Sequence, residues 1–98
     1  MNLKFNYLYR DASNYKNYGS VIFSNPNSIP LILIENAVRG NLIDGEFFSS
    51  EDWQLPDLFF EVKNSDDHIW HEFESIEATN ENLGSCLIED FLIRILLK

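Results

Sequence analysis

The stretch Asn2-Leu3-Lys4-Phe5-Asn6-Tyr7-Leu8-Tyr9-Arg10 decides the fold class. Leu3, Phe5, Tyr7 and Tyr9 alternate with Asn2, Lys4, Asn6 and Arg10, the period of two expected of a half-buried strand. Leu8 interrupts the polar side, so that side is expected to be partly covered. Tyr7 and Tyr9 run in phase with Leu3 and Phe5, which places their rings in the core with a wet hydroxyl. The next residues, Asp11 to Gly19, are rich in turn formers and lead to Val21-Ile22-Phe23. A β-hairpin with a long loop is the expectation.

Ser24-Asn25-Pro26-Asn27-Ser28 breaks this pattern. Ser28 is expected to cap a helix, with Pro30 tolerated in its first turn, where amides lack intrahelical acceptors. Leu31, Ile34 and Val38 follow helical spacing up to Gly40-Asn41. Asp44-Gly45 marks a turn before Glu46-Phe47-Phe48. Ser49 or Ser50 suits the cap of a short turn through Glu51, Asp52 and Trp53, which Pro56 stops. Leu58, Phe60 and Val62 then read as a strand, Asn64 to Asp67 as a hairpin connection, and Ile69 to Ile76 as the returning strand. Ala78 to Gly84 reads as a polar loop. Ser85 is expected to cap a last helix buried through Ile88, Phe91, Leu92, Ile95 and Leu96, with Arg94 and Lys98 near its negative end.

The resulting order is β-β-α-β-β-α. The expected fold is α+β, a four-stranded, mainly antiparallel sheet with two helices on one face. The 98 residues are expected to form a single domain, since the chain has no room for two cores. An apolar content of 45% argues against disorder. One cysteine, Cys86, excludes an internal disulfide and a Cys-rich zinc site, and fits a cytoplasmic protein. The start does not resemble a signal peptide, and no apolar run approaches a membrane span.

Charge is distributed unevenly. Residues 1–49 carry four bases and four acids, whereas residues 50–98 carry twelve acids against Lys63, Arg94 and Lys98. The net charge of −9 therefore belongs to the second half. Such a field repels nucleic acid and anionic membranes and attracts basic partners. Glu51, Asp52, Asp57, Glu61, Asp66, Asp67, Glu72, Glu74, Glu77 and Glu81 would form one continuous acidic surface if a second hairpin were exposed.

Two clusters carry candidate binding residues. The first is tyrosine-rich: Tyr9, Arg10, Asp11, Asn14, Tyr15 and Lys16, with Tyr18 beyond them. Tyrosine offers flat contact area with one polar tip, and arginine a planar donor fork. Asp11 and Asn14 also suit bonds to loop amides. The second is His68, Trp70, His71 and Glu72, preceded by Asp66 and Asp67. Histidine with carboxylate is the composition of a metal site or an acid–base pair. In a regular strand, however, His68 and His71 point to opposite faces, and only a bulge near Trp70 would bring them together. Cys86, at an expected helix start, reads as a small buried residue. Strand ends carrying the two clusters would share one polar rim in an antiparallel sheet.

The motifs Tyr7 to Lys16, Phe23-Ser24-Asn25-Pro26, Ile43 to Phe48, Trp53 with Pro56, and Asp67 to Phe73 together resemble a family of small uncharacterised bacterial proteins. The resemblance covers about residues 7–77 and excludes the C-terminal helix. It implies that both clusters belong to one pattern, and it implies no activity, cofactor or partner. The sequence thus favours a non-enzymatic protein that docks stoichiometrically onto a basic protein surface, in the manner of an immunity or inhibitor protein. The enzyme or metal alternative uses His68, His71, Glu72 and Asp11. A third alternative, a small-molecule domain, requires a deep pocket lined by the tyrosines and Trp70. No cofactor is implied.

Overall fold

The computed structural model of the protein describes residues 1–60, 67–82 and 86–97. The elements are β1 (Asn2–Arg10), β2 (Lys16–Ser24), α1 (Leu31–Gly40), β3 (Phe47–Ser49), β4 (Trp70–Thr79), β5 (Cys86–Leu87) and α2 (Ile88–Leu96). The fold is α+β, as the periodicity indicates, but the sheet has five strands, in the order β3-β4-β1-β2-β5. It is also mixed. β1 runs antiparallel to β2 and β4, β3 runs antiparallel to β4, and β5 runs parallel to β2.

The first hairpin forms with a shorter connection than expected. Arg10 already pairs with Lys16, and Tyr18 and Gly19 belong to β2. Residues 11–15 close the turn, with the Asp11 carboxylate accepting from the amides of Ser13 and Tyr15 at 3.0 and 2.9 Å. This Asx arrangement satisfies amides that would otherwise lie outside any ladder. The second hairpin is not seen among the described residues. Leu58 to Phe60 are irregular, and Val62, Lys63 and the Asn64-Ser65-Asp66 connection lie outside the described residues. β4 instead pairs with the central strand β1.

Asn25, not Ser28, organises the start of α1. Its side chain donates to Ile29 O and accepts from Ile29 N–H, both at 3.0 Å. Ser28 sits at φ 50° and makes no side-chain cap, and Pro30 occupies the N-cap position. The Ser85 cap of α2 falls outside the described residues; Leu87 stands at the N-cap, and Cys86 lies in β5 rather than at the helix start. Glu89 and Asp90 occupy the first turn of α2, where acids suit the helix dipole. Leu96, expected in the buried stripe, is 62% exposed at the helix end.

β4 solves a phase problem visible in the sequence. His71 and Phe73 alternate in one phase, and Ile76 and Ala78 in the other. The register slips between Asn6↔Ser75 and Tyr7↔Phe73, leaving Glu74 unmatched as a β-bulge. His71 and Phe73 therefore oppose Tyr9 and Tyr7, and Ile76 and Ala78 oppose Phe5 and Leu3. All share the inner face.

The inner face is covered by two different materials. Over Leu3, Phe5, Phe23 and Ile76 lie α1, through Ile34 and Val38, and α2, through Ile88, Phe91 and Ile95. Phe5 is the hub, with the rings of Tyr7, Phe48, Trp53, Phe73 and Phe91 at 5.3–6.4 Å. Over Tyr7 and Tyr9 lies the irregular segment 56–60. Leu58 fits there because Gly19 has no Cβ: one added to Gly19 would stand 2.7 Å from Leu58 Cδ2. The expected wet hydroxyls are in fact bonded to backbone. Tyr7 Oη donates to Pro56 O at 2.6 Å, and Tyr9 Oη to His68 O at 2.7 Å.

Burial, with a contribution from Asp57, pushes the Tyr7 phenol up to about 12. The Tyr9 phenol is raised by burial, then by Asp67 and Asp11. The folded chain thus holds these protons more tightly than the unfolded chain. The stabilisation is complete below pH ~10 and is lost as pH rises through about 12. Urea midpoints are expected to fall across that window. Tyr7→Phe should flatten the fall and, at neutral pH, cost about 1–3 kcal/mol, because it leaves Pro56 O without its partner.

Candidate functional site

The two sequence clusters do meet at one end of the sheet, but on its two sides. Tyr9 opposes His71 in register on the inner face, and both are fully buried. Arg10 and Glu72 meet on the outer face: Nε and Nη2 donate to the two carboxylate oxygens at 2.9 and 3.2 Å. Arg10 Nη1 also donates to Asn14 Oδ1 at 2.7 Å. The hydrogen bond to Glu72 and its charge raise the Arg10 pKa further above its already high usual value. Asp67 accepts from Ala12 N–H at 3.0 Å, tying the hairpin loop to the entrance of β4. Tyr15 and Lys16 project into solvent, and Trp70 is 37% exposed.

Each member of the acid–base alternative has a structural assignment. Leu58 N–H donates to His71 Nε2 at 2.9 Å, so that nitrogen is the acceptor and the ring proton lies on Nδ1. Nδ1–H points to Ile69 O at 3.3 Å. His68 precedes β4 and accepts from Trp70 N–H through Nδ1 at 3.0 Å. Asp11 serves the loop, and Glu72 holds Arg10. His71 faces inward and Glu72 outward, so the four groups do not converge. The bulge that the sequence allowed at Trp70 sits at Glu74 instead, and both histidine rings pack against Tyr9, at 5.4 and 5.2 Å between centroids. Among the described residues no group of three or more His, Cys, Asp and Glu could hold a metal ion.

The acids named for one continuous surface differ in their partners. Glu72 has Arg10, and Glu81 has Lys4 at 3.2 Å, whereas Glu74 and Glu77 are exposed and take part in no ion pair among the described residues. Asp67 is engaged with the loop, and Glu61 and Asp66 lie outside the described residues. A further group flanks β3 on both sides. Residues 40–60 hold Asp44, Glu46, Glu51, Asp52 and Asp57, all exposed, and no base. Among the described residues Glu51, Asp52 and Asp57 take part in no ion pair.

The turn after β3 is firmly held. Trp53 stacks on Phe48, 4.6 Å between centroids at 15°, and its amide donates to Ser49 O. Leu55 N–H donates to Ser50 O at 2.9 Å, and Arg94 of α2 reaches Trp53 O at 3.3 Å. Beside it opens a cavity of about 330 Å³ lined by Ser49, Ser50, Glu51, Leu55, Asp57, Phe59 and Ile69. No tyrosine lines it. Trp70 borders a second hollow of about 130 Å³, with Ile43, Asp52 and Trp53 among its walls. The pocket of tyrosines and Trp70 required by a small-molecule reading is therefore replaced by one built on the β3 turn.

The sequence placed Glu51 in a short capped turn and named Asp57 as surface charge, and it missed Ser49, Ser50, Leu55, Phe59 and Ile69 as their neighbours. One signal was present. Trp53 between Ser-Ser-Glu-Asp and Pro56 marks a polar turn anchored in the core, which brings its acids close to apolar walls.

No family model, curated protein or solved structure matches the chain. No helix among the described residues is long and apolar enough to cross a membrane.

His71 supplies the prediction of this site. Ring ¹⁵N shifts should show neutral imidazole protonated at Nδ1. His71→Phe keeps the packing against Tyr9 and Phe59 but strands the Leu58 amide, at a cost of about 1–3 kcal/mol in urea unfolding. His71→Ala adds a cavity and should cost more.

Proposed function

We propose that the protein acts by stoichiometric docking onto a partner protein with a basic surface, as immunity and inhibitor proteins do. The observation that carries this reading is the base-free stretch 40–60, where five exposed acids surround a well-anchored turn. Glu72 and Glu81 are internally neutralised, whereas the acids of this stretch take part in no ion pair among the described residues. Complementary charge of this kind raises association rates by roughly 10- to 1,000-fold at low salt. The Debye length falls from about 10 Å at 0.1 M salt to about 3 Å at 1 M, which removes most of that gain.

Exposed aromatic and aliphatic groups border the same end of the sheet. Trp70 and Ile43 flank the smaller hollow, and Ile69 the larger cavity. A charged rim around apolar anchors is the usual anatomy of a protein interface. The cytoplasm is the proposed setting, in keeping with the single free thiol at Cys86.

Pull-down from the native cell at low and high salt, followed by stopped-flow with the purified partner, tests the reading. The expected result is a partner with a basic surface whose association rate drops at least tenfold between 0.05 and 0.5 M salt (on the order of the steering gain). The triple variant Glu51→Gln, Asp52→Asn, Asp57→Asn should slow association at low salt. A partner captured equally by that variant and at high salt refutes electrostatic docking.

A further inference from the structure

We infer that the cavity beside the β3 turn is a receptor for one arginine side chain of the partner. This inference rests on the docking reading above and assigns its central contact. The cavity, about 330 Å³, lies at the small end of the roughly 300–1,000 Å³ range of ligand clefts. That suits a single side chain more than a large metabolite.

The chemistry of the walls selects the guest. Leu55, Phe59 and Ile69 form an apolar side, with Leu55 buried and Ile69 52% exposed. Glu51 and Asp57 stand at the opening and accept hydrogen bonds without donating any while ionised. Ser50 adds a polar group to the wall. It is only 4% exposed, its hydroxyl has no hydrogen-bond partner among the described residues, and it is not a sealed atom, so it opens to the space it lines. A hydroxyl so placed can accept from a donor that enters the cavity.

Such walls call for a guest with an apolar stem and a head made only of donors. Lysine and arginine both meet that description. Arginine fits better. Its guanidinium carries five donors in a fixed planar fork for two carboxylates and a hydroxyl. It is also enriched among the residues that dominate binding energy at interfaces.

The test is titration with N-acetyl-arginine amide, followed by ¹H–¹⁵N spectra of the full chain at constant ionic strength. Saturable binding on the order of millimolar is expected, with shifts confined to residues 49–59 and 69. N-acetyl-citrulline amide, of the same shape without charge, should bind at least tenfold more weakly. N-acetyl-lysine amide should bind at least threefold more weakly. Glu51→Gln with Asp57→Asn should weaken arginine binding at least tenfold, whereas Glu74→Gln with Glu77→Gln, an equal loss of charge at exposed residues of β4, should leave it within twofold. Equal binding of citrulline or lysine overturns the inference, as do shifts spread over the whole acidic surface or equal effects of the two double variants. If salt-sensitive association with the partner persists while the cavity ignores arginine, the inference fails and the docking reading stands. If both are lost, the docking reading fails with it.

Discussion

Side chains of the sheet take the place of a ladder for the segment that covers half of it. Residues 56–60 and 67–69 have no strand partners, yet they lie against the inner face, where unpaired backbone groups are costly. Pro56 O is met by Tyr7 Oη, Leu58 N–H by His71 Nε2, Leu58 O by Asn17 Nδ2 and His68 O by Tyr9 Oη. Each such bond contributes about 1 kcal/mol net, but leaving one of these groups unmade costs about 1–3 kcal/mol. The asymmetry makes Tyr7, Tyr9, Asn17 and His71 necessary as a set. It also explains why polar residues occupy the inner face of three strands at the end that the helices do not reach.

The same bonds place the cavity. Phe59 and Leu55 are held at its wall because the chain on either side of Pro56 is pinned, by Trp53 stacking on Phe48 and by His71 and Asn17 gripping Leu58. Asp57 is carried to the opening between those two anchors. Its charge adds to burial in raising the Tyr7 phenol. Core packing and cavity geometry are therefore one system, and a substitution at Tyr7 or His71 acts on the cavity without touching its lining.

Much of this was legible where a local pattern and the tertiary environment agree. β1 is a strand by its alternation, and the helices by their spacing and breakers. The pairing of β4 was hidden because Glu74 shifts the phase of the strand, and a bulge is defined by its partner, not by its own residues. Leu58 and Phe60 mimic a strand because any apolar segment lying on a core shows apolar residues. Phe59 and Phe60 both lie against Tyr9, at 4.9 and 6.2 Å, which an alternating strand would forbid. The rim of Arg10, Asn14 and Glu72 follows from strand ends meeting in an antiparallel sheet. The burial of Tyr9 and His71 depends on the irregular cover, which has no period to read.

The acids around β3 answer two physical demands that separate by position. β3 is an edge strand of three residues, and short charged edges resist pairing with other chains. Asp44, Glu46, Glu51 and Asp52 flank it on both sides. Edge protection depends on the amount of charge near the strand and tolerates its rearrangement. Recognition depends on where each carboxylate stands, and only Glu51 and Asp57 stand on the cavity. Asp57 is eight residues beyond the end of β3, past Pro56, and edge protection gives no reason for its placement. Its carboxylate beside an apolar wall and an unpartnered serine is the part of the charge pattern that solubility and edge protection leave over.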